Sequence, residues 1–528
     1  MKKESKKNKE TICTSMLIIG VFLVFMFLEI SYCKRIIDSD MSSEMVLANL
    51  LNKENTIISK NWIYGSELRV IHMQLLFKIA LKIFPSNWVL ARIVSQSVLM
   101  ALYALSSIFC IKEIGLGKKS IYITAILLLP LGFWNVFHNY FGGFYLVFAI
   151  PTLLLIGFTF KILKQEQQNI VNVIIYFLFS LLIGLNGTKV LLYFCFPCFV
   201  TAFLFLSNKV LKEKSNFDTL KESYELRYFI ISIINVLGML IGYLGYRKLC
   251  SIYDFYLNEP FIWQKFSITN ILNNLSSYFM CLGYPSNEYF GMNIDAMTIN
   301  GILGTFGLLL ICVFAFSIVK IISRYEKINI LYRMLFVLCL TSILLTAILL
   351  TCLYSDTNGS YFIPLIPHAF LIIELEIVTE DISNNSFRNI LRISLLICAL
   401  LSSIPNVNWY IKKHPRRDKD LNRAVSYLID NEIESIYAEF WDGNVITELT
   451  NGRINAYVVE DYKTLRIYNL LQEKSHINEY PKSNIYVLID GEVNFDSKYK
   501  EKGIETIYCD EYSIIKAKDI DTYLNNIK

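Results

Sequence analysis

The feature that most constrains this chain is a succession of long apolar runs, each bounded by charged or turn-forming residues. A bilayer core needs about 20 mostly apolar residues per helix. Runs near that length fall at 12–31, 87–111, 120–137, 142–162, 170–187, 189–207, 228–248, 299–321, 332–354, 361–378 and 389–409. They predict an α-helical polytopic membrane protein with about eleven transmembrane helices. The first run is long, and no small-residue cleavage site follows it in SYCKRIIDSD, so it reads as a retained helix and not as a signal peptide.

Composition agrees with a lipid solvent for most of the chain. Of 528 residues, 54% are hydrophobic and 18% charged, with a mean hydropathy of +0.44. Such values exclude a disordered or nucleic-acid-binding chain. Residues 1–411 hold 33 Lys and Arg against 24 Asp and Glu, whereas residues 412–528 hold 17 against 21. The chain therefore divides into an apolar, basic body over 1–410 and a polar, slightly acidic tail over 411–528. In the tail, LNRAVSYLIDN has a helical pattern. SIYAEF, INAYVV, NIYVLID and ETIYCD read as strands, and YKTLRIYNLLQEK as a further helix. A small α/β domain follows, suited to packing on the membrane part or to recognising an acceptor.

Eleven of the twelve cysteines precede residue 412, so Cys509 has no partner within the tail. Cys195 and Cys198 form a C-x-x-C pair inside an apolar run without His or carboxylate neighbours, which makes them small hydrophobes. A disulfide between Cys250 and Cys281, in one loop, stays open.

Orientation follows from the basic residues, which are held on the cytoplasmic side. Lys2, Lys3, Lys6, Lys7 and Lys9 place the amino terminus inside, and the basic loops 112–119, 208–227 and 320–333 alternate correctly with it. With an odd number of spans, the C-terminal domain is extracytoplasmic, as are the loops 32–86 and 249–298. Loops of that length usually carry function.

The first of them begins IDSDMSSEMVLANLLN. Asp38 and Asp40 stand two apart, and Glu44 follows Asp40 by one helical turn if 41–52 is a helix. Three carboxylates at a membrane surface suit a general base or a divalent cation such as Mg or Mn, with Asp38 and Asp40 as ligands; the plainer reading is that one of them caps the helix. Residues 67–84 read as an interfacial helix, with Leu68, Ile71, Leu75, Ile79 and Ile83 opposite Gln74, Lys78 and Lys82. Arg69 has the planar fork that grips phosphate, or it pairs with Glu67 or a lipid headgroup; Lys60 is a second cation nearby. Glu29, in the last turn of the first run, either faces a polar cavity or reaches the interface. In the middle loop, Tyr256, Trp263, Tyr278 and Tyr284 suit an interfacial aromatic belt better than a sugar-stacking wall. His138, in a short outside loop, is either structural or substrate-facing.

An acid just after the first helix, surface helices behind it and an outside C-terminal domain together resemble the GT-C glycosyltransferases, in particular the protein O-mannosyltransferase and aminoarabinose transferase branch. Asp40 and Ala48 have the branch's spacing from acid to alanine, and SYFIPLIP at 360–367, with Tyr361, is similar to its R-Y-x-x-P segment. Met41, Ser43 and Ser360 depart from the pattern. The resemblance implies a cell-envelope enzyme that moves a sugar from a polyprenyl-phosphate donor to the hydroxyl of a lipid, glycan or protein acceptor. Asp40 or Asp38 would be the base, Arg69 and Lys60 would hold the donor phosphate, and Glu44, His138 and Tyr361 would line the substrate site. The rivals are a transporter or flippase of lipid-linked sugars, against which the charge-free spans argue, and a noncatalytic GT-C-like binding protein.

Overall fold

The computed structural model describes residues 2–527 except 166–168, 214–219, 221, 257–264, 285–296, 354–358, 381–384, 414–420 and 492–502; Trp263 lies outside the described residues. Among the described residues nine helices are long and apolar enough to cross a membrane: Thr14–Ile36, Trp88–Ile114, Leu146–Leu163, Leu191–Leu211, Tyr224–Cys250, Ile299–Ser323, Ile330–Cys352, Gly359–Thr379 and Ser386–Lys412. Ile170–Gly184 is a shorter apolar helix. The run expected to span over 120–137 is instead broken. A turn at Lys118–Ile121 leads into the short helix Tyr122–Leu127, and after Leu128–Gly132 the chain enters Phe133–Asn135 and a wide π turn, Val136–Phe141. Pro130 has no N–H to continue a helix and biases Leu129 away from helical geometry. Gly132 has φ +73°, and a Cβ there would strike the Met280 carbonyl.

The chain forms two compact units. The first comprises 1–27, 98–248 and 260–410, and the second 28–97, 249–259 and 411–528. The first unit is a helical body. Lipid supplies no hydrophobic drive between helices, so close backbone approach and van der Waals packing hold them together. Gly238 and Gly242, one turn apart on Tyr224–Cys250, sit against the backbone of Phe177 and Leu181 on Ile170–Gly184, leaving no room for a side chain. Asn235 Nδ2 donates to Ser180 Oγ across the same seam at 2.9 Å.

In the second unit, the helix Ser39–Lys53 is started by Asp38, whose carboxylate accepts from Met41 N at 3.0 Å. Its inner face, with Met41, Met45, Ala48 and Leu51 fully buried, packs against the helices Met73–Ile83 and Phe440–Leu449. Two short parallel strands, β1 (Ile63–Tyr64) and β2 (Asp254–Phe255), join the first and middle loops. Ile63 N donates to Gln472 O at 3.0 Å and Lys474 N to Asn61 O at 2.9 Å. Parts of the two loops are thus hydrogen-bonded, directly or in series, to the tail.

The tail contains the expected sheet with one strand more. β3 (Ser435–Glu439), β4 (Asn455–Val459), β5 (Ser483–Asp490), β6 (Ile504–Cys509) and β7 (Tyr512–Asp519) are ordered β4-β3-β5-β7-β6. β3 pairs in parallel with β4 and β5, while β7 runs antiparallel to β5 and β6. Tyr437, Val459, Val487, Ile489 and Ile515 belong to its core.

Three local expectations fail for physical reasons. Residues 462–474 are not a helix: Tyr468 N donates to Val458 O at 2.9 Å and Glu460 N to Arg466 O at 2.8 Å, so the segment runs beside β4 and answers its edge. Helix Met73–Ile83 starts six residues later than the apolar pattern suggested, because His72 is extended (φ −144°) and Leu68 is already buried in the preceding bend. Cys250 and Cys281 are both free thiols, Cys281 donating to Gly359 O.

Candidate functional site

Two clusters collect the residues singled out above, one in each unit. In the second unit, Asp38 and Asp40 are separated by role. Asp38 is buried, 3% exposed, and its Oδ1 is engaged at the helix start. Asp40, one residue into the helix, is half-buried, and its charge bears on Arg69 and on the Tyr468 phenol. Ser43, where the resembled branch has a basic residue, turns its hydroxyl to Asp40 O at 2.7 Å.

Arg69 is not a lone cation waiting for phosphate. Its guanidinium is hydrogen-bonded to Glu44, with Glu67 4.0 Å away. His72 Nδ1 lies 3.5 Å from the other Glu44 oxygen. Burial pushes the Glu44 carboxyl up, but Arg69 first and His72 second outweigh it and hold the group down at about 2. Glu44 is therefore charged and fixed. This ion-pair network lines a small cavity of about 20 Å³ with Ser43, Leu47, Trp62, Tyr64, Glu67 and Leu471. That is room for a water molecule and not for a sugar ring. Lys60 lies exposed before β1 and makes no ion pair among the described residues.

Tyr468, from the non-helical stretch of the tail, stands edge-on to Tyr256 with ring centroids 5.1 Å apart and to Phe440 at 5.7 Å. Its phenol is pushed up to about 12 by burial, then by Tyr256, with smaller effects of Glu460 and Asp40. Tyr256 joins this cluster, Tyr284 is 37% exposed, and Tyr278 is buried with its hydroxyl donating to Leu365 O at 3.2 Å.

Among the described residues no three His, Cys, Asp or Glu gather closely enough to hold a metal ion. A hard divalent cation takes six or more oxygens. Asp38 Oδ1 is engaged at the helix start, and a Mg or Mn ion held here would rest on one or two carboxylates together with water and substrate phosphate.

In the first unit, Tyr145 is the centre. Ser360 Oγ donates to its hydroxyl at 3.0 Å, and Tyr361 stands edge-on to it at 6.1 Å. His138 faces its ring edge at 5.3 Å and stacks on Trp134 at 5.5 Å. His138 and Tyr361, far apart in sequence, are thus brought to one aromatic ring. Neither nitrogen of His138 has a hydrogen-bond partner among the described residues. The cation of the cluster is Lys189, whose Nζ sits 5.5 Å over Tyr145 and 4.8 Å over Phe148. Sequence reasoning passed over Lys189. The signal was present: a single Lys between two apolar runs, in N-G-T-K, where the chain must turn. Two π turns, Val136–Phe141 and Leu191–Cys195, flank this cluster, and such turns recur at functional sites.

No protein-family model matches the chain, and no curated protein matches it either. Solved structures do. The crystal structure of ArnT from Cupriavidus metallidurans in the apo state superposes with a TM-score of 0.53 at 11% identity, covering 96% of this chain and 98% of ArnT. The structure of the same protein bound to undecaprenyl phosphate gives 0.55 at 10% identity with the same coverage. The chain therefore has the GT-C-like fold expected of it: a polytopic helical membrane protein with a small C-terminal sheet region.

Proposed function

We propose that this protein is an integral membrane glycosyltransferase that moves a sugar from a polyprenyl-phosphate donor to an acceptor hydroxyl at the outer membrane face. Asp40 takes the proton of the acceptor hydroxyl as its oxygen forms the new bond to the anomeric carbon. The bond from that carbon to the phosphate oxygen breaks, and polyprenyl phosphate leaves. A carboxylate suits this role when it lies within hydrogen-bond reach of the acceptor. The reading is carried by the division of labour at the acidic pair, on a fold shared with a protein solved with undecaprenyl phosphate. Asp38 is engaged at the helix start, and Asp40 is the half-exposed acid.

The leaving phosphate needs positive charge. Arg69 already answers Glu44, so its role is to hold the site's shape and to lend charge only if Glu44 yields. Lys60 is the further cation of the proposal, with Glu44, His138 and Tyr361 as the proposed substrate-binding groups. Donor and membrane lipid are the partners; the acceptor is a lipid, glycan or protein. The amino terminus is cytoplasmic and the tail extracytoplasmic, which requires the broken segment 118–141 and Ile170–Gly184 each to count as one crossing.

The test is transfer from the lipid-linked sugars of native membranes by purified wild type, Asp40→Asn and Asp38→Asn. Loss of a positioned base costs roughly 10²–10⁴ in rate. Asp40→Asn is expected to show that loss and Asp38→Asn to keep most of the rate; transfer undiminished in Asp40→Asn would defeat the assignment.

A further inference from the structure

Arg92 is a fully buried arginine in the helix Trp88–Ile114. Nε and Nη2 donate to the two oxygens of Glu448, each at 2.6 Å. Nη2 also donates to the backbone carbonyl of Met41 at 2.8 Å. The Phe77 ring lies 4.9 Å from the guanidinium carbon. Glu448 is itself fully buried, on the tail helix Phe440–Leu449 that packs along Ser39–Lys53. Glu29 and Cys33, at the end of the first helix, are the other ionisable groups near this guanidinium.

Stability gives no sufficient reason for such a pair. Taking both charges out of water costs several kcal/mol per ion, and well-packed apolar replacements of similar volume are often neutral or stabilising. An apolar pair, however, cannot donate to a carbonyl. Met41 is held at both of its backbone polar groups: its N–H by Asp38 Oδ1 and its C=O by Arg92. It is the residue immediately after Asp40. We infer that Arg92 and Glu448 are positioning residues through which the C-terminal domain fixes the backbone that carries Asp40. Glu448 orients the guanidinium fork, and the fork holds the Met41 carbonyl. The inference rests on the reading of Asp40 as the base. It gives the tail a part in the reaction.

The test uses the full chain in lipid nanodiscs. Glu448→Gln and Arg92→Lys keep the volume or the charge but lose the fork geometry, since an ammonium cannot serve three acceptors in a fixed plane. The double variant Arg92→Met, Glu448→Leu leaves neither of the two charges unpaired and is expected to fold. Hydrogen exchange of the amides of Met41 to Met45 is read against that of the helix Asn422–Asp430, and kcat and KM for lipid-linked donor are read separately. Exchange at 41–45 is expected to rise at least tenfold in all three, with the reference helix unchanged, kcat down at least tenfold and donor KM within twofold. A double variant with wild-type exchange at 41–45 and wild-type kcat overturns the inference, as does a loss that falls on KM alone. If wild type itself transfers no sugar, the function proposed above fails, and the exchange measurement still decides whether the clamp exists.

Discussion

Replacing Glu44 by Gln tests the electrostatic reasoning most directly. The carboxyl is 3% exposed and its partner Arg69 27% exposed, so solvent screens the pair only in part. Arg69 and His72 together overcome the effect of burial and bring Glu44 from the ordinary 4.5 to about 2. A drop of that size corresponds to about 3 kcal/mol of preference for the charged form in the folded protein. Because the folded value is depressed, this stability is fully present above about pH 4.5 and is lost as pH falls towards 2. Wild type is therefore expected to exceed Glu44→Gln by about 3 kcal/mol at pH 7, with the gap narrowing below pH 4.5. Equilibrium unfolding in detergent, followed by tryptophan fluorescence, measures it, and Trp62 in the wall of the same cavity serves as a local reporter. A gap equal at pH 7 and pH 3, or one below about 0.5 kcal/mol at pH 7, refutes the argument. Arg69→Gln should cost at least as much at pH 7, since it strands a buried carboxylate beside His72 alone.

Asp38→Ala removes the oxygen that accepts from Met41 N and should lower unfolding stability by about 1 kcal/mol, measured by the same unfolding experiment. Because Asp38 Oδ1 is spent at the helix start, the proposed transfer is expected to survive EDTA; loss of activity restored by Mg or Mn would assign Asp38 and Asp40 to a metal. Gly242→Val forces a branched side chain against the Leu181 backbone and should cost about 1–3 kcal/mol, read as a lowered Tm, whereas Gly117→Ala, which meets open space but has φ +96°, should cost only its backbone strain, of order 1–3 kcal/mol, without disturbing helix packing.

The contrast between long apolar runs and a polar tail was legible in the chain itself, because hydrophobic length and charge density are local properties; that 28–97 and 249–259 join the tail in one compact unit was not. The helix behind the acidic pair was legible too, though not which acid caps it, as were most strands of the tail, whose period-two apolar pattern needs no knowledge of their neighbours. Residues 462–474 misled because their apolar spacing fits a helix equally well. Tyr468 N finds its acceptor on the edge strand β4, a partner that lies outside the segment's own window. The break at Pro130–Gly132 mixes local and tertiary causes: Pro130 marks it locally, whereas the close approach of Gly132 to the Met280 carbonyl is tertiary. The sites divide in the same way. One sequence window contains Asp38, Asp40 and Glu44, but Arg69 being tied to Glu44, Tyr145 joining His138 to Tyr361, and Arg92 reaching Glu448 across 356 residues are matters of tertiary folding. Sequence by itself determined the solvent of each part and the types of group available. Only the folded chain decided which charges neutralise each other and which acid keeps access to solvent, because pairing energy depends on distance and burial, and neither can be read along one dimension.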